Sequence, residues 1–258
     1  MLLVYNIGNN EILFGIVQEG NLLDRFSLAL FSDRTADEYA CLLKGLLDFK
    51  GYQPQDFKGA IASSVVPSAT ETVRAAVELV CGFRTHLLGA GLRTGLDIRT
   101  DEPSQLGGDL VARAVGALSS YEAPLILIDF GTATTFSVLD KQGAFIGCAI
   151  APGVALSSEA LSNGASLLPH IAHTMPKRCI GVNTMESMQS GCIYGSVAMI
   201  DGMIERIEDE LGYHATLIAS GSIADSILPL CKREIKRDDS MLLRGLAEIY
   251  GKNQKKRK

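Results

Sequence analysis

A short apolar strand followed by a polar, glycine-containing turn occurs twice in this chain, 123 residues apart. The first copy, Tyr5–Asn10, reads YNIGNN, and the second copy, Ile128–Ala133, reads IDFGTA. The alignment continues without a gap until Gly20 falls on Gly143. Backbone N–H groups exposed at such turns suit phosphate oxygens. A repeat at about half the chain length predicts two related lobes, each with one phosphate-binding turn.

The pattern of apolar residues predicts the elements that position these turns. For the first lobe it predicts strands at Leu2–Ile7, Glu11–Val17, Leu22–Leu28, Gly59–Val66 and Arg84–Leu88, and helices at Thr35–Leu47, Ser68–Val80 and Leu106–Leu118. For the second lobe it predicts strands at Pro124–Phe130, Thr134–Leu139, Ala144–Ile150 and Thr216–Ala219, and helices that begin at Ser157, span Asn183–Leu211 and close the chain at Ser240–Tyr250. Strand runs followed by helix–strand alternation indicate an α/β fold. We place the lobes at residues 1–120 and 121–250 and expect a basic, disordered tail at 251–258.

Composition excludes several other classes of protein. The 258 residues are 47% apolar and 21% charged, which is typical of a globular protein with a sizeable core. A net charge of −5 argues against a general nucleic-acid binder. The six cysteines lack C-x-x-C or metal-ligand spacing, and no leader or membrane-length apolar run is present. We therefore expect a cytoplasmic protein without membrane or nucleic-acid partners.

Four segments together resemble the type III pantothenate kinases of the actin-like ATPase superfamily. They are the first strand and turn with Gly8-Asn9, the segment Gly107-Gly108-Asp109 with the helix after it, Ile128–Phe136 continuing to Ala149–Gly153, and Gly181–Thr184 with Glu186 and Met188–Gly191. The match covers nearly the whole chain in order, and its second-lobe motif is long and specific. The resemblance implies two ribonuclease-H-like lobes with mixed sheets flanked by helices. It also implies a homodimer that phosphorylates pantothenate to 4'-phosphopantothenate, the first step of coenzyme A biosynthesis.

The resemblance further implies ATP with Mg²⁺ as the phosphate source, held by one turn from each lobe. The implied nucleotide-binding residues are Asn6, Ile7, Gly8, Asn9, Asn10, Glu11, Ile12, Leu13 and Thr132. Thr134 could add a second hydroxyl beside Thr132. Threonine is common in strands, so each of the two residues taken alone would more often be structural.

Asp109 matches the catalytic aspartate of the family, where a carboxylate accepts the proton of the substrate hydroxyl. Read from its position alone, Asp109 could instead stabilise a helix N-terminus. The implied substrate-binding residues are Thr100, Gly107, Gly108, Asp109, Leu110 and Thr184. The family reaches the position of Thr184 across its dimer interface, although this threonine could also cap a helix.

Asp129 matches the position that helps to hold a monovalent cation, K⁺ or NH₄⁺, beside the phosphates. A carboxylate at the end of a strand supplies the negative charge that such an ion needs. The alternative is a strand-end aspartate that only makes local turn bonds.

Several residues depart from the family pattern. Asn6 stands where an aspartate is usual, so a magnesium-linked water would be held more weakly. Leu110 replaces an arginine, which removes a multidentate donor for substrate or phosphate oxygens. Further departures are Asn10 for threonine, Thr100 for tyrosine and Ser222 for glycine. Two alternatives therefore stay open: a catalytically impaired relative that binds nucleotide or pantothenate as a regulatory or partner protein, and a kinase with another acceptor.

Overall fold

The computed structural model describes residues 1–89 and 91–254, and the chain divides into two compact units. Unit 1 contains Met1–Asp97, Asp101–Ser120 and the segment from Ser240 onward. Unit 2 contains Ile98–Thr100 and Tyr121–Asp239. Each unit is built on a five-stranded mixed sheet, which confirms the predicted α/β fold of two duplicated lobes.

Unit 1 contains the first five strands, and we number all elements in chain order. Its elements are β1 (Leu2–Ile7), β2 (Glu11–Gln18), β3 (Asn21–Ala29), β4 (Ala60–Ser64), β5 (His86–Leu87), α1 (Ala36–Phe49), α2 (Pro67–Cys81), α3 (Gly108–Leu118) and the closing helix α7 (Met241–Gln254). The sheet order is β3-β2-β1-β4-β5, with β1–β3 antiparallel and β4 and β5 parallel to β1. Thr35 and Glu38 form the predicted capping box that begins α1.

Unit 2 repeats this topology. Its elements are β6 (Leu125–Phe130), β7 (Ala133–Leu139), β8 (Phe145–Pro152), β9 (Thr216–Ser220), β10 (Lys236–Arg237), α4 (Val154–Gly164), α5 (Thr184–Leu211) and α6 (Ala224–Ile227). The order β8-β7-β6-β9-β10 matches that of unit 1 strand for strand, including the directions of the strands. The sequence repeat therefore reflects a repeated fold.

Strand alternation decides which face of each sheet carries the polar residue near the strand end. In β1, Leu3, Tyr5 and Ile7 enter a core shared with α1 and α2, so Asn6 lies on the opposite face. In β6, Ile126, Ile128 and Phe130 enter a core shared with α5, so Asp129 also lies on the opposite face. The two positions are equivalent in the two units.

The closing helix α7 belongs to unit 1, whereas the predicted lobe boundaries placed it in the second lobe. Its backbone approaches α3 closely through two glycines. A Cβ on Gly116 would lie 1.8 Å from the carbonyl oxygen of Met241, and one on Gly245 would lie 1.7 Å from that of Ala112. Residues 251–254 of the predicted tail are helical, since α7 ends at Gln254. The remainder of the predicted tail, 255–258, lies outside the described residues.

Within residues 1–89 and 91–254, no helix combines the length and the apolar character needed to cross a bilayer.

Candidate active site

The β1–β2 turn is a tight connection with exposed polar residues. The N–H of Gly8 donates to the carbonyl of Glu11 at 2.9 Å, while Asn9, Asn10 and Glu11 are exposed. The side chains of Ile7 and Ile12 are fully buried in the core of unit 1, where the two residues pair across the hairpin. These two isoleucines could therefore contact a nucleotide only through their backbones.

Asn6 is held by a serine from the neighbouring strand. Ser63 of β4 lies opposite Asn6 and is fully buried, and its Oγ donates to Asn6 Oδ1 at 2.7 Å. The other end of the amide, Nδ2, lies 3.7 Å from the point where a Cβ on Gly8 would stand. The amide nitrogen therefore faces the β1–β2 turn.

Asp109 lies in the first turn of α3, as predicted. Its Oδ1 occupies the space beside Gly107, where a Cβ would approach it to 2.6 Å. A Cβ on Gly108 would lie 3.6 Å from the Cβ of Ser63. The structure therefore brings the start of α3 next to the Asn6–Ser63 pair. Leu110 is buried, so it contributes apolar packing and no polar group.

The β6–β7 turn in unit 2 repeats the arrangement around Asn6. Ser220 of β9 lies opposite Asp129, and its Oγ donates to Asp129 Oδ1 at 2.8 Å. Asp129 Oδ2 lies 3.3 Å from the point where a Cβ on Gly131 would stand. Thr132, the next residue of the turn, is exposed.

Gly153, which precedes α4, supports this second turn. Its N–H donates to the carbonyl of Thr132 at 3.0 Å. A Cβ on Gly153 would lie 2.4 Å from the carbonyl oxygen of Gly131 and 2.5 Å from that of Thr132. Only a glycine fits this contact, which fixes the direction of the turn carbonyls.

The prediction that Thr134 adds to the phosphate contacts is wrong. Thr134 pairs with Phe130 and is 1% exposed, on the face opposite to Asp129, because side chains alternate along β7. Thr135 instead pairs with Asp129 and shares its face. Its Oγ1 is buried and has no hydrogen-bond partner among the described residues. Nothing in the sequence pattern indicated Thr135, because only the register of β6 against β7 shows that it shares a face with Asp129.

A third loop in unit 2, after β9, is held by residues that sequence reasoning missed. The N–H of Gly221 donates to Asp239 Oδ1 at 3.0 Å, and Gly221 has a φ of +114°. Arg237 donates from Nε to Asp239 Oδ2 at 3.0 Å. Ser222, the predicted departure in this loop, is exposed.

The predicted substrate residues lie in both units. Gly107–Leu110 belong to unit 1, whereas Thr100 and Thr184 belong to unit 2. Thr100 Oγ1 is buried without a hydrogen-bond partner among the described residues. Thr184 is exposed and is the first residue of α5. It does not cap the helix, because Asn183 Oδ1 accepts the N–H of Glu186 at 2.9 Å.

Thr184 lines a cavity of about 590 Å³ within unit 2. The cavity lies between α4 and α5, and most of its wall is apolar. Its lining includes Pro152, Val154, Leu161, Met188 and Met199.

Over residues 1–89 and 91–254, no group of three or more His, Cys, Asp or Glu side chains could hold a metal ion. A cation at Asp129 would therefore take its other ligands from hydroxyl or carbonyl oxygens, phosphate or water. The buried hydroxyl of Thr135 on the same face fits such an oxygen-rich site.

Solved structures of low sequence identity share this fold. The activator of 2-hydroxyisocaproyl-CoA dehydratase from Clostridium difficile, solved with bound ADPNP, superposes with a TM-score of 0.55 at 13% identity, covering 100% of this chain and 98% of that chain. MreB 5 of Spiroplasma citri, bound to AMPPNP, gives a TM-score of 0.55 at 10% identity, covering 99% and 97%. These similarities show the fold of the actin-like ATPases.

Sequence comparison identifies the family. The family model for type III pantothenate kinase matches residues 2–206. The type III pantothenate kinase of Exiguobacterium sibiricum is 39% identical over 254 residues, covering 98% of this chain and 100% of that protein. That of Shouchella clausii is 41% identical over 256 residues, with the same coverage. The comparisons do not support the alternative of a non-catalytic relative. The chain belongs to the type III pantothenate kinases, enzymes that phosphorylate pantothenate with ATP.

Proposed function

We propose that the chain transfers the γ-phosphoryl group of ATP to the primary hydroxyl of pantothenate, with Asp109 as the proton acceptor. The observation that supports this role is the position of Asp109 in the first turn of α3, where the neighbouring Gly108 lies next to Ser63, the hydrogen-bond partner of Asn6. A bond forms between the hydroxyl oxygen and the γ-phosphorus, and the bond from the γ-phosphorus to the bridging oxygen of ADP breaks. The hydroxyl proton passes to the carboxylate of Asp109.

The nucleotide contacts in this proposal come mainly from backbone groups. The exposed turn residues Asn9–Glu11 are proposed to present N–H groups to phosphate oxygens, together with Asn6 and Leu13 on the flanking strands. In unit 2, the exposed hydroxyl of Thr132 is the corresponding contact. The close fit of Gly153 against this second turn supports a fixed, preorganised phosphate site.

A monovalent cation, K⁺ or NH₄⁺, is proposed to bind at Asp129. The support is the carboxylate itself, fixed by Ser220, and the buried hydroxyl of Thr135 on the same face. A buried hydroxyl without a partner costs about 1–3 kcal/mol, which an ion or a bound oxygen would offset. When bound, the cation neutralises part of the phosphate charge.

The acceptor side is proposed to involve Gly107–Leu110, Thr100 and Thr184. Leu110 gives this side no charged donor, since its side chain is buried and apolar. Two hydroxyls of unit 2 are proposed to recognise pantothenate. They are Oγ1 of Thr100, which is buried and has no hydrogen-bond partner among residues 1–89 and 91–254, and the exposed hydroxyl of Thr184.

We also propose that the active form is a homodimer in the cytoplasm. Unit 2 exposes a group of large apolar side chains that a partner would cover: Ile150, Leu156, Leu161, Leu167, Ile180, Val182 and Met185. Thr184 lies between two of them in sequence. All six cysteines are free of disulfides, as a reducing compartment requires.

The test of the proposed function is a direct assay for phosphorylated pantothenate by mass spectrometry, with ADP release measured in parallel. Asp109→Asn keeps the shape of the side chain and removes its capacity to accept a proton. We expect turnover to fall by about 10²–10⁴-fold with little change in ADP affinity.

Asp37→Asn is the matched control, because Asp37 also lies in the first turn of a helix, α1. If turnover falls by the same factor in both variants, Asp109 only stabilises the N-terminus of its helix. ADP release that does not depend on pantothenate would instead indicate another acceptor.

A further inference from the structure

The two units hold their strand-end polar residues in the same geometry with one chemical difference. A serine hydroxyl donates to Oδ1 of Asn6 at 2.7 Å and to Oδ1 of Asp129 at 2.8 Å. The remaining side-chain atom faces the adjacent glycine turn in both units. That atom is an acceptor, Oδ2, in Asp129, and a donor, Nδ2, in Asn6.

The direction of the Asn6 amide follows from the environment of Ser63. Ser63 is fully buried, and the carbonyl oxygen of Asn6 is the acceptor for its hydroxyl. If the amide were reversed, its NH₂ group would face Ser63, and the serine hydrogen would lose this acceptor. A buried donor without an acceptor is costly, so the orientation with Nδ2 towards the turn is favoured.

We propose that Nδ2 of Asn6 donates a hydrogen bond directly to a phosphate oxygen of the bound nucleotide. This inference rests on the proposed nucleotide site of the kinase. An NH₂ group cannot accept a hydrogen bond from a metal-bound water, which a carboxylate at this position would do. Asn6 would therefore contact the phosphate directly, where an aspartate would contact it through a magnesium-bound water. We expect this contact to form with or without Mg²⁺.

Calorimetric titration with ADP, in EDTA and in Mg²⁺, tests this proposal without requiring turnover. Asn6→Asp keeps an acceptor for Ser63, as Asp129 does for Ser220, so we expect it to fold. In EDTA its ADP affinity should fall about 10- to 100-fold, because a carboxylate replaces a donor to a charged phosphate. Mg²⁺ should restore most of the loss, so the variant should depend on magnesium more than the parent does.

Two further variants locate the effect. Asn6→Ala should weaken ADP binding in EDTA and in Mg²⁺ by similar factors, since only the donor is lost. Ser63→Ala should weaken it by a smaller factor, because the amide remains but its orientation is no longer fixed. Equal ADP affinity of Asn6→Asp and the parent in EDTA would overturn the proposal, as would tighter binding by the variant.

A second measurement observes the side chain of Asn6 in the parent protein by NMR. In the parent protein labelled with ¹⁵N-asparagine, ADP in EDTA should shift the side-chain NH₂ signals of Asn6, assigned by their absence in Asn6→Asp. Unshifted signals at saturating ADP would also overturn the proposal. If ADP behaves as expected but no phosphorylated pantothenate forms, the proposed function fails while this inference stands.

Discussion

Asp239 accepts a hydrogen bond from the backbone N–H of Gly221 at 3.0 Å, and thereby ties the loop after β9 to the segment after β10. Gly221 directly follows Ser220, whose hydroxyl donates to Asp129. A Cβ on Gly221 would lie 2.4 Å from the carbonyl oxygen of Phe130, so the loop packs tightly against the end of β6. Asp239 therefore helps to fix the loop that follows Ser220, the residue that donates to Asp129.

We predict that Asp239→Ala raises the K⁺ concentration needed for half-maximal activity by about tenfold, with a smaller effect on turnover at saturating K⁺. The reason is that a hydrogen bond to a carboxylate contributes about 1.5–3 kcal/mol to holding the loop. Asp225→Ala is the control, since Asp225 pairs with the same Arg237 but not with Gly221. Steady-state kinetics over a series of K⁺ concentrations measures this effect. The prediction is contradicted if both variants need the same K⁺ concentration for half-maximal activity.

For the cation itself, Asp129→Asn should remove most of the activation by K⁺. Asparagine keeps an acceptor for Ser220 but lacks the negative charge, and the loss in cation affinity should be about tenfold or more. Thermal unfolding in K⁺ and in Na⁺ gives a second readout, because a bound ion stabilises the folded state. Asp209→Asn, an exposed carboxylate of α5, is the control. A parent enzyme equally active and equally stable in K⁺-free Na⁺ buffer would exclude the site.

The apolar surface of unit 2 leads to a prediction about assembly. Ile180→Asp places a charge on a side chain that is 81% exposed, and we expect it to convert a dimer into monomers with strongly reduced activity. Phe49→Asp, at a position 85% exposed on α1 of unit 1, should leave both properties unchanged. Sedimentation velocity checks this. A parent protein that sediments as a monomer at assay concentration would refute the dimer.

Stability should depend on pH through Glu208, which is buried on α5. Burial raises the pKa of this carboxyl, but hydrogen bonds from the Ala215 N–H, His214 and Arg233 outweigh it, and the net pKa lies below the usual range. A lowered pKa in the folded state stabilises the protein above the unfolded pKa, and this contribution is lost as the pH falls through the folded value.

Glu208→Gln should therefore reduce the free energy of unfolding by about 1–3 kcal/mol near neutral pH. The difference from the parent should shrink in acid, once the parent carboxyl is protonated. Urea unfolding at several pH values measures it, with the exposed Glu205→Gln as the control. A difference that is constant across the acid range would show that the charge of Glu208 is not the cause.

The sequence by itself determined the features that depend on neighbours along the chain. Short apolar runs located β1 and β6, a helical pattern located α3, and the Thr35–Glu38 spacing determined the start of α1. The repeat of Tyr5–Asn10 at Ile128–Ala133 predicted the duplicated fold, and the motif after it identified the family. Each of these signals lies within a short stretch of the chain, so it can be recognised in the sequence without the folded structure.

Only the tertiary structure decided which distant residues meet. The Ser63–Asn6 and Ser220–Asp129 pairs join residues 57 and 91 positions apart, and the strand register that makes them has no local signature. The same register placed Thr134 in the core and Thr135 beside Asp129. The docking of α7 on α3 required a close approach of two backbones at Gly116 and Gly245. Pairing and packing depend on the complementarity of surfaces that form only when the chain has folded, and for that reason these contacts could not be read from spacing.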